Sequence, residues 1–247
     1  MRFSATLIFA CLLAARTCFP QTIDVNELKK GGLPLYRPAL VGTSKDALIN
    51  RIDEQALLKQ GQKDAAIMFA CTVKKDGQLA WSGTYRGTPD SKLLEGEVRK
   101  ALAGVKFIPA VYNRLPVDAI FYGTVTFAVV DGKPRLRIFA NQETAELQKE
   151  SNFVGPQPFW GVESKFSGLH YPPDTPIVMD GVVEIQIKVD ETGMLKDLKV
   201  TAEEPPFVGF GDAARTDFNQ ARFIPAFRDG KPVGCQIKLP VFYKTRT

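Results

Sequence analysis

The chain has 247 residues, 45 % of them apolar and 24 % charged, with a formal net charge of +5. This is the composition of an ordinary globular protein and excludes disordered and fibrous classes. The lysines and arginines are spread along the chain without a basic stripe or a row of stacking aromatics, so nucleic acid is not an expected partner.

The chain opens with Met1 and Arg2, then an uncharged apolar run from Phe3 to Ala15, then Arg16. A membrane-spanning helix needs about 20 such residues, so residues 1–20 read as a cleaved export signal and the mature protein is expected in the exported compartment. Residues 21–60 form an N-terminal segment with one predicted helix, Asp46 to Lys59, whose Ala47, Leu48, Ile52, Ala56 and Leu57 or Leu58 share a side. From Ile67 to Val73 apolar residues alternate, which marks a half-buried strand. Asp76-Gly77 is a hairpin turn, and Gln78 to Thr84 continues as a second strand. The period then changes: Leu94, Val98, Leu102 and Val105 line one face of a helix that Asp90 or Ser91 is placed to cap, with Gly96 and Gly104 weakening it. Pro109 in Phe-Ile-Pro-Ala ends that helix, and Val117 to Phe127 alternates as a third strand. A turn at Asp131-Gly132 leads into an additional strand, Arg135 to Ala140. Residues 143–168 read as a linker that begins with a short polar helix, Glu143 to Glu150, and carries the Pro, Gly and aromatic stretch Phe153 to Trp160.

After residue 169 the pattern repeats. Lys106-Phe-Ile-Pro-Ala110 returns as Arg222-Phe-Ile-Pro-Ala226, the turn glycine Gly77 as Gly193, and Pro116-Val117 as Pro232-Val233, all at a separation of 116. Val183, Ile185, Ile187 and Val189 repeat the first strand and Met194 to Val200 the second. Phe210, Ala214, Phe218 and Ala221 repeat the helix face, with Asp212 as its expected cap. Val233 to Val241 repeats the third strand, and the chain stops soon after Tyr243. The fold expected is α+β: two tandem ββαβ modules, residues 61–142 and 169–247, each a three-stranded antiparallel sheet with one helix on a face.

The second module resembles the C-terminal domain of TonB-type energy transducers. The resemblance rests on Tyr171-Pro172-Pro173, the strand Gly181 to Val189, the turn Glu191-Thr192-Gly193, Ala221-Arg-Phe-Ile-Pro-Ala226 and Asp229-Gly-Lys-Pro-Val233. The first module is similar from Ile67 onward but lacks the Tyr-Pro lead-in. The resemblance implies a periplasmic protein-binding module that captures an extended peptide of an outer-membrane transporter, or of a related secretion component, beside its last strand. It assigns partner binding to Leu169, His170, Tyr171 and Pro172 ahead of the first strand. A full transducer also carries an uncleaved anchor and a long proline-rich spacer; neither is expected here, so the binding module is what carries over.

The difference between the copies places the docking edge on Gly234, Gln236, Lys238, Pro240, Phe242 and Tyr243, because the first module covers the corresponding edge with its own extra strand. The alternative is a structural envelope protein that self-associates, as in a homodimer, without a mobile peptide ligand. Enzymatic chemistry has no visible constellation. His170 is the single histidine and cannot hold a metal alone, no Gly-x-Ser-x-Gly elbow is present, and Gly209-Phe-Gly-Asp-Ala-Ala214 is a helix-leading loop rather than a dinucleotide site, so no cofactor is expected. Cys71 and Cys235 share parity with core residues and read as two buried thiols; a disulfide between them requires the strands of the two modules to exchange.

Overall fold

The computed structural model describes residues 32–149, 151–173 and 179–245. The apolar run read as an export signal lies outside them.

Helix α1 (Leu48–Arg51) and α2 (Glu54–Lys59) occupy the stretch expected as one helix. Ile52 is extended, and Oδ1 of Asp53 accepts the N–H of Ala56 at 2.8 Å, so Asp53 starts a second helix where the apolar spacing alone suggested continuity. Strands β2 (Ala65–Val73) and β3 (Leu79–Gly87), helix α3 (Lys92–Leu102) and strand β5 (Leu115–Val130) follow in order, with β2 central between β3 and β5 and all pairs antiparallel. Their core is the odd face of β2 (Ile67, Phe69, Cys71, Val73) against Leu94, Val98 and Leu102 of α3 and Phe121, Val125 and Phe127 of β5, each at most 2 % exposed. Gly96 is a solvent-facing position of α3, and Gly104 lies beyond its end with φ +76°.

The second half repeats this order. Strand β9 (Gly181–Val189) is central between β10 (Leu195–Glu204) and β14 (Cys235–Tyr243), with helix α5 (Phe210–Phe218) packed on one face. Val183, Ile185 and Ile187 meet Phe210, Ala214 and Phe218 there, together with Leu239 and Val241.

Both helix starts are capped from outside the helix rather than by the residues the sequence offered. Ser91 is the N-cap of α3 but makes no side-chain cap bond; instead Oε1 of Gln62 accepts the N–H of Leu94 at 2.8 Å. Asp212 pairs with Arg215, while Oε1 of Glu203 accepts the N–H groups of Val208 and Phe210 at 3.1 and 2.9 Å. A side chain from a neighbouring element satisfies the orphan donors of the first turn, which a local sequence motif does not reveal.

The recurrence of the turn glycine and of Phe-Ile-Pro has one shared cause. Gly77 and Gly193 have φ +81° and +83°, and each carbonyl accepts the N–H of the phenylalanine 30 residues on, Phe107 or Phe223, at 2.9 Å. A Cβ would lie 2.2 Å from the Phe107 oxygen at Gly77 and 1.8 Å from the Phe223 oxygen at Gly193. The turn and the phrase are one contact, formed twice.

The first sheet is larger than the three strands expected: it has eight, because β1 (Tyr36–Arg37), β4 (Ala110–Tyr112), β6 (Lys133–Phe139), β8 (Gln157–Trp160) and β11 (Phe223–Ile224) join it. Strand β6 is the additional strand expected after the first module, and it covers β5 from Thr124 to Val130.

The segment read as a linker holds helix α4 (Thr144–Lys149) and strands β7 (Phe153–Val154) and β8. Strand β7 pairs with β12 (Ala226–Arg228), which in turn pairs with β13 (Lys231–Val233). Strand β8 pairs with both β5 and β11, so residues 153–160 are woven into both halves. Their pairing repeats the N-terminal segment: Tyr36, Arg37 and Leu40 face Tyr112, Val111 and Ile108, as Phe153, Val154 and Gln157 face Arg228, Phe227 and Ile224. The two lead-ins also bond each other, for the amide of Gln157 accepts the N–H and donates to the carbonyl of Ala39 at 2.7 and 3.0 Å.

Candidate functional site

The residues singled out around the second module fall into two groups that one side chain connects. Asp217 lies on α5, seven residues after Phe210 and three after Ala214, and so on the apolar face of the helix; its side chain is 2 % exposed. Its Oδ2 accepts the N–H of His170 at 2.9 Å and the hydroxyl of Tyr243 at 2.8 Å, while Oδ1 lies 2.7 Å from Nδ1 of His170. Burial, and then the carboxylate of Asp217, push the Tyr243 phenol far up, so it stays a donor at every physiological pH. The lead-in at Leu169–Pro172 and the end of the last strand are thereby fastened to the same carboxylate.

Around this clamp the lead-in packs closely. The Tyr171 ring meets Phe210 edge-on at 5.3 Å, and its hydroxyl donates to the Met179 carbonyl at 2.7 Å while accepting the Met179 N–H at 3.1 Å. Pro172 is buried beside Gly209, Leu169 is half-buried against the second core, and His170 is exposed.

Strand β14 is an outer strand of its sheet, with β9 on one side only. The N–H of Lys238 points away from β9 and is accepted by Oε2 of Glu143 at 3.0 Å. Alternation in an antiparallel ladder turns the backbone groups of Gln236, Pro240 and Phe242 the same way, and Pro240 has no N–H to offer. The side chains of Gln236 and Lys238 are exposed, as is Gly234. Lys238 also reaches Glu184 at 3.1 Å; burial raises that carboxyl, but the bonds from Lys238 and Thr201 outweigh it and the net shift is downward.

The far half of β14 meets the first module. Phe242 is 8 % exposed, stacked on Tyr85 of β3 at 5.2 Å and 18°, with Trp81 at 6.1 Å. Pro240 is buried as well. Helix α4 is held beside this edge by Glu146, which binds both terminal nitrogens of Arg228 at 3.0 and 3.2 Å; these bonds lower its carboxyl against the opposing effect of burial. Yet the seam is incompletely satisfied. The hydroxyl of Tyr122 and the side-chain oxygens of Asn141 and Gln142 are buried without a hydrogen-bond partner among the described residues, beside Ile237, Lys238 and Leu239. Each such group costs about 1–3 kcal/mol, which lowers the cost of separating the seam.

Cys71 and Cys235 are both free, so the candidate disulfide is not formed. Cys71 is sealed in the first core opposite Phe121, whereas Cys235 begins β14 at the margin of the second, and no strand exchange brings them together. Burial pushes the Cys235 thiol up to about 12, and Cys71 higher still. Among the described residues no group of three metal-binding side chains is assembled.

Sequence reasoning missed Asp217, Glu143 and Glu146. For Asp217 a signal existed: an acid at helical spacing within an otherwise apolar stripe. The two glutamates carry none, because their partners lie 82 and 95 residues away.

With this geometry in hand, residues 170–245 match the family described as Gram-negative bacterial TonB protein C-terminal, just under a third of the chain. The matched span contains the Asp217 clamp, β9, β10, α5 and β14. No curated protein and no solved structure matches the chain. Residues 170–245 are thus similar to a TonB-like protein-interaction domain of the kind that serves transport, and no helix among the described residues is long and apolar enough to cross a membrane.

Proposed function

We propose that the protein is a periplasmic TonB-like adaptor that captures an extended peptide of an outer-membrane transporter or related envelope component, by strand addition along Gly234–Tyr243. The observation that carries this reading is the state of β14: inside a domain of the TonB C-terminal type, an outer strand has its Lys238 donor occupied by a carboxylate rather than by another strand. A peptide carbonyl can take the place of Glu143, and an unpaired strand edge supplies the remaining donors and acceptors. The 116-residue period and the matching pairing of residues 36–40 and 153–157 support descent of the first half from the same module. In that reading its own edge is covered by β8 at Asp118 and Ala119 and by β6 from Thr124 onward, and its remaining role is to carry Trp81 and Tyr85 against Phe242.

The test uses proline at Lys238. Because this N–H points away from β9, Lys238→Pro removes one outward donor and leaves the β9–β14 ladder intact. The full chain, exported in a Gram-negative host, is used to recover envelope proteins, and the affinity of the recovered transporter or secretion component is measured for both forms. The expected result is a folded variant with binding weakened about tenfold or more. A folded variant with unchanged affinity refutes strand addition at this edge and moves the contact to Leu169–Pro172. N-terminal sequencing of the exported protein tests the signal, with a mature start expected between Arg16 and Thr22.

A further inference from the structure

The two halves differ at a second place, away from the last strand. In the second half Met194 and Arg222 form an isolated antiparallel bridge that ties the start of β10 to the connection after α5. Ser164 adds to this closure, its hydroxyl lying 3.3 and 3.4 Å from the backbone N and O of Arg222, and Lys165 bonds Gln220. The corresponding residues of the first half are Gln78 and Lys106, and they form no such bridge. After the shared Gly77–Phe107 bond, β3 and the α3–β4 connection splay apart around a groove of about 410 Å³.

One wall of this groove is the strand edge Gln78–Ser82 and the other is Leu102–Lys106. Strand β3 is the last strand on its side of the sheet, so its outer backbone groups face the groove. Five residues of edge extend roughly 17 Å, enough to pair with a short extended segment. The rim is positive. Lys106 lines the groove, and the guanidinium of Arg51 donates to the carbonyls of Ala101 and Ala103 on the same wall; neither cation has a carboxylate partner among the described residues. Lys75 adds a third cation in the turn below, where Asp76 spends one oxygen on the N–H of Gln78 and Asp118 one on the N–H of Lys75.

We infer that this groove of the first half binds an extended acidic segment of a partner protein as a strand added to β3, with the carboxylates of that segment on Lys106 and Arg51. The site is separate from β14 and does not rest on the function proposed for it. Trp81 lines the groove and its ring centroid lies 6.1 Å from that of Phe242, so occupancy is expected to change the surroundings of a natural reporter.

The probe is a fluorescein-labelled octapeptide of alternating glutamate and valine, compared with its lysine–valine counterpart, titrated by anisotropy into the full exported chain. The acidic probe is expected to bind and the basic one not. Lys106→Glu is expected to weaken the acidic probe about tenfold. Ala103→Phe, at an exposed position with extended backbone, is expected to fill the groove and abolish binding, while Lys238→Pro leaves it unchanged. In a Trp160→Phe background the acidic probe is expected to shift the emission of Trp81. The inference is overturned if the acidic probe fails to bind, if both probes bind alike, if Lys106→Glu and Ala103→Phe leave affinity intact, or if Lys238→Pro abolishes it. A concentration-dependent dimer that Ala103→Phe abolishes, without probe binding, also overturns it and assigns the edge to a second copy.

Discussion

Replacing Asp217 with alanine isolates the clamp that joins the lead-in to the last strand. The carboxylate is buried and accepts from the Tyr243 hydroxyl and the His170 N–H. The His170 side is part-exposed, so water can replace that bond at little cost. The Tyr243 hydroxyl is enclosed, and stranding it costs about 1–3 kcal/mol, on top of a lost charge-assisted bond of about 1.5–3 kcal/mol. These terms overlap, and a total destabilisation of about 3 kcal/mol is expected for Asp217→Ala. Tyr243→Phe removes the donor and leaves the carboxylate its His170 partner, so about 1 kcal/mol is expected there. If the two side chains act as a unit, the double variant is destabilised no more than Asp217→Ala alone, and the cycle gives a coupling energy of about 1 kcal/mol. Urea unfolding of the four proteins, followed by tyrosine and tryptophan fluorescence with a shared slope, measures all of this. An Asp217→Ala variant within 0.5 kcal/mol of the parent, or additive single changes, would refute the clamp.

Three further outcomes are expected. Gly77→Ala and Gly193→Ala each place a Cβ against a backbone carbonyl at positive φ, so each should lower stability by about 2–4 kcal/mol, and similar losses in thermal unfolding would check that the two contacts are equivalent. Neither Cys71 nor Cys235 should react with an aromatic disulfide reagent at pH 8 until the protein is unfolded, since burial holds Cys235 at about 12; prompt release of two equivalents would contradict this. Because the bonds from Arg228 hold the Glu146 carboxyl below its unfolded value, the stabilisation it gives is complete above about pH 4.5 and is lost as the pH falls through its folded value. Glu146→Gln should therefore flatten the acid limb of the stability–pH curve and leave the region above pH 7 parallel to the parent.

What the sequence disclosed follows the range of the interactions involved. Strand alternation, the helix stripes and the turn glycines are set by neighbours a few residues apart or by a repeated phrase, and they appear close to the expected places, with Val105 and Ala221 just past the ends of α3 and α5. The single helix expected at Asp46–Lys59 starts at Leu48 and breaks at Ile52 and Asp53, because an Asp side chain that caps between apolar-periodic residues leaves no break in periodicity. The linker was misjudged for another reason. Phe153–Trp160 has the composition of a connection, yet its Gln157 and Phe159 are buried, and what fixes them is pairing with β5, β11 and Ala39 across distances that no local pattern reports. The caps by Gln62 and Glu203 escaped notice in the same way.

The comparison of equivalent positions goes further than the repeat itself. Asp217 corresponds to Ala101 and Tyr243 to Phe127, both buried in the first core. The first half thus has apolar groups where the second has the Asp217–Tyr243 pair, and it lacks the Tyr-Pro lead-in that the clamp would hold. A buried carboxylate bonded to a buried phenol adds little net stability over such an apolar pair, and it is costly when one member is lost. Its presence in one copy only is difficult to explain as a requirement of the fold, since the other copy forms the same sheet and helix without it. What the clamp adds is position: it fixes the lead-in and the end of β14 relative to one helix, in the half where β14 has an outer edge not paired to another strand. In the first half β8 pairs with Asp118 and Ala119 of the equivalent edge and β6 with Thr124 onward, and there the polar pair has no counterpart. The polar substitution and an outer edge that no strand pairs with occur together, which is the pattern expected if the second half keeps a binding surface in register and the first serves as the body that seats Phe242.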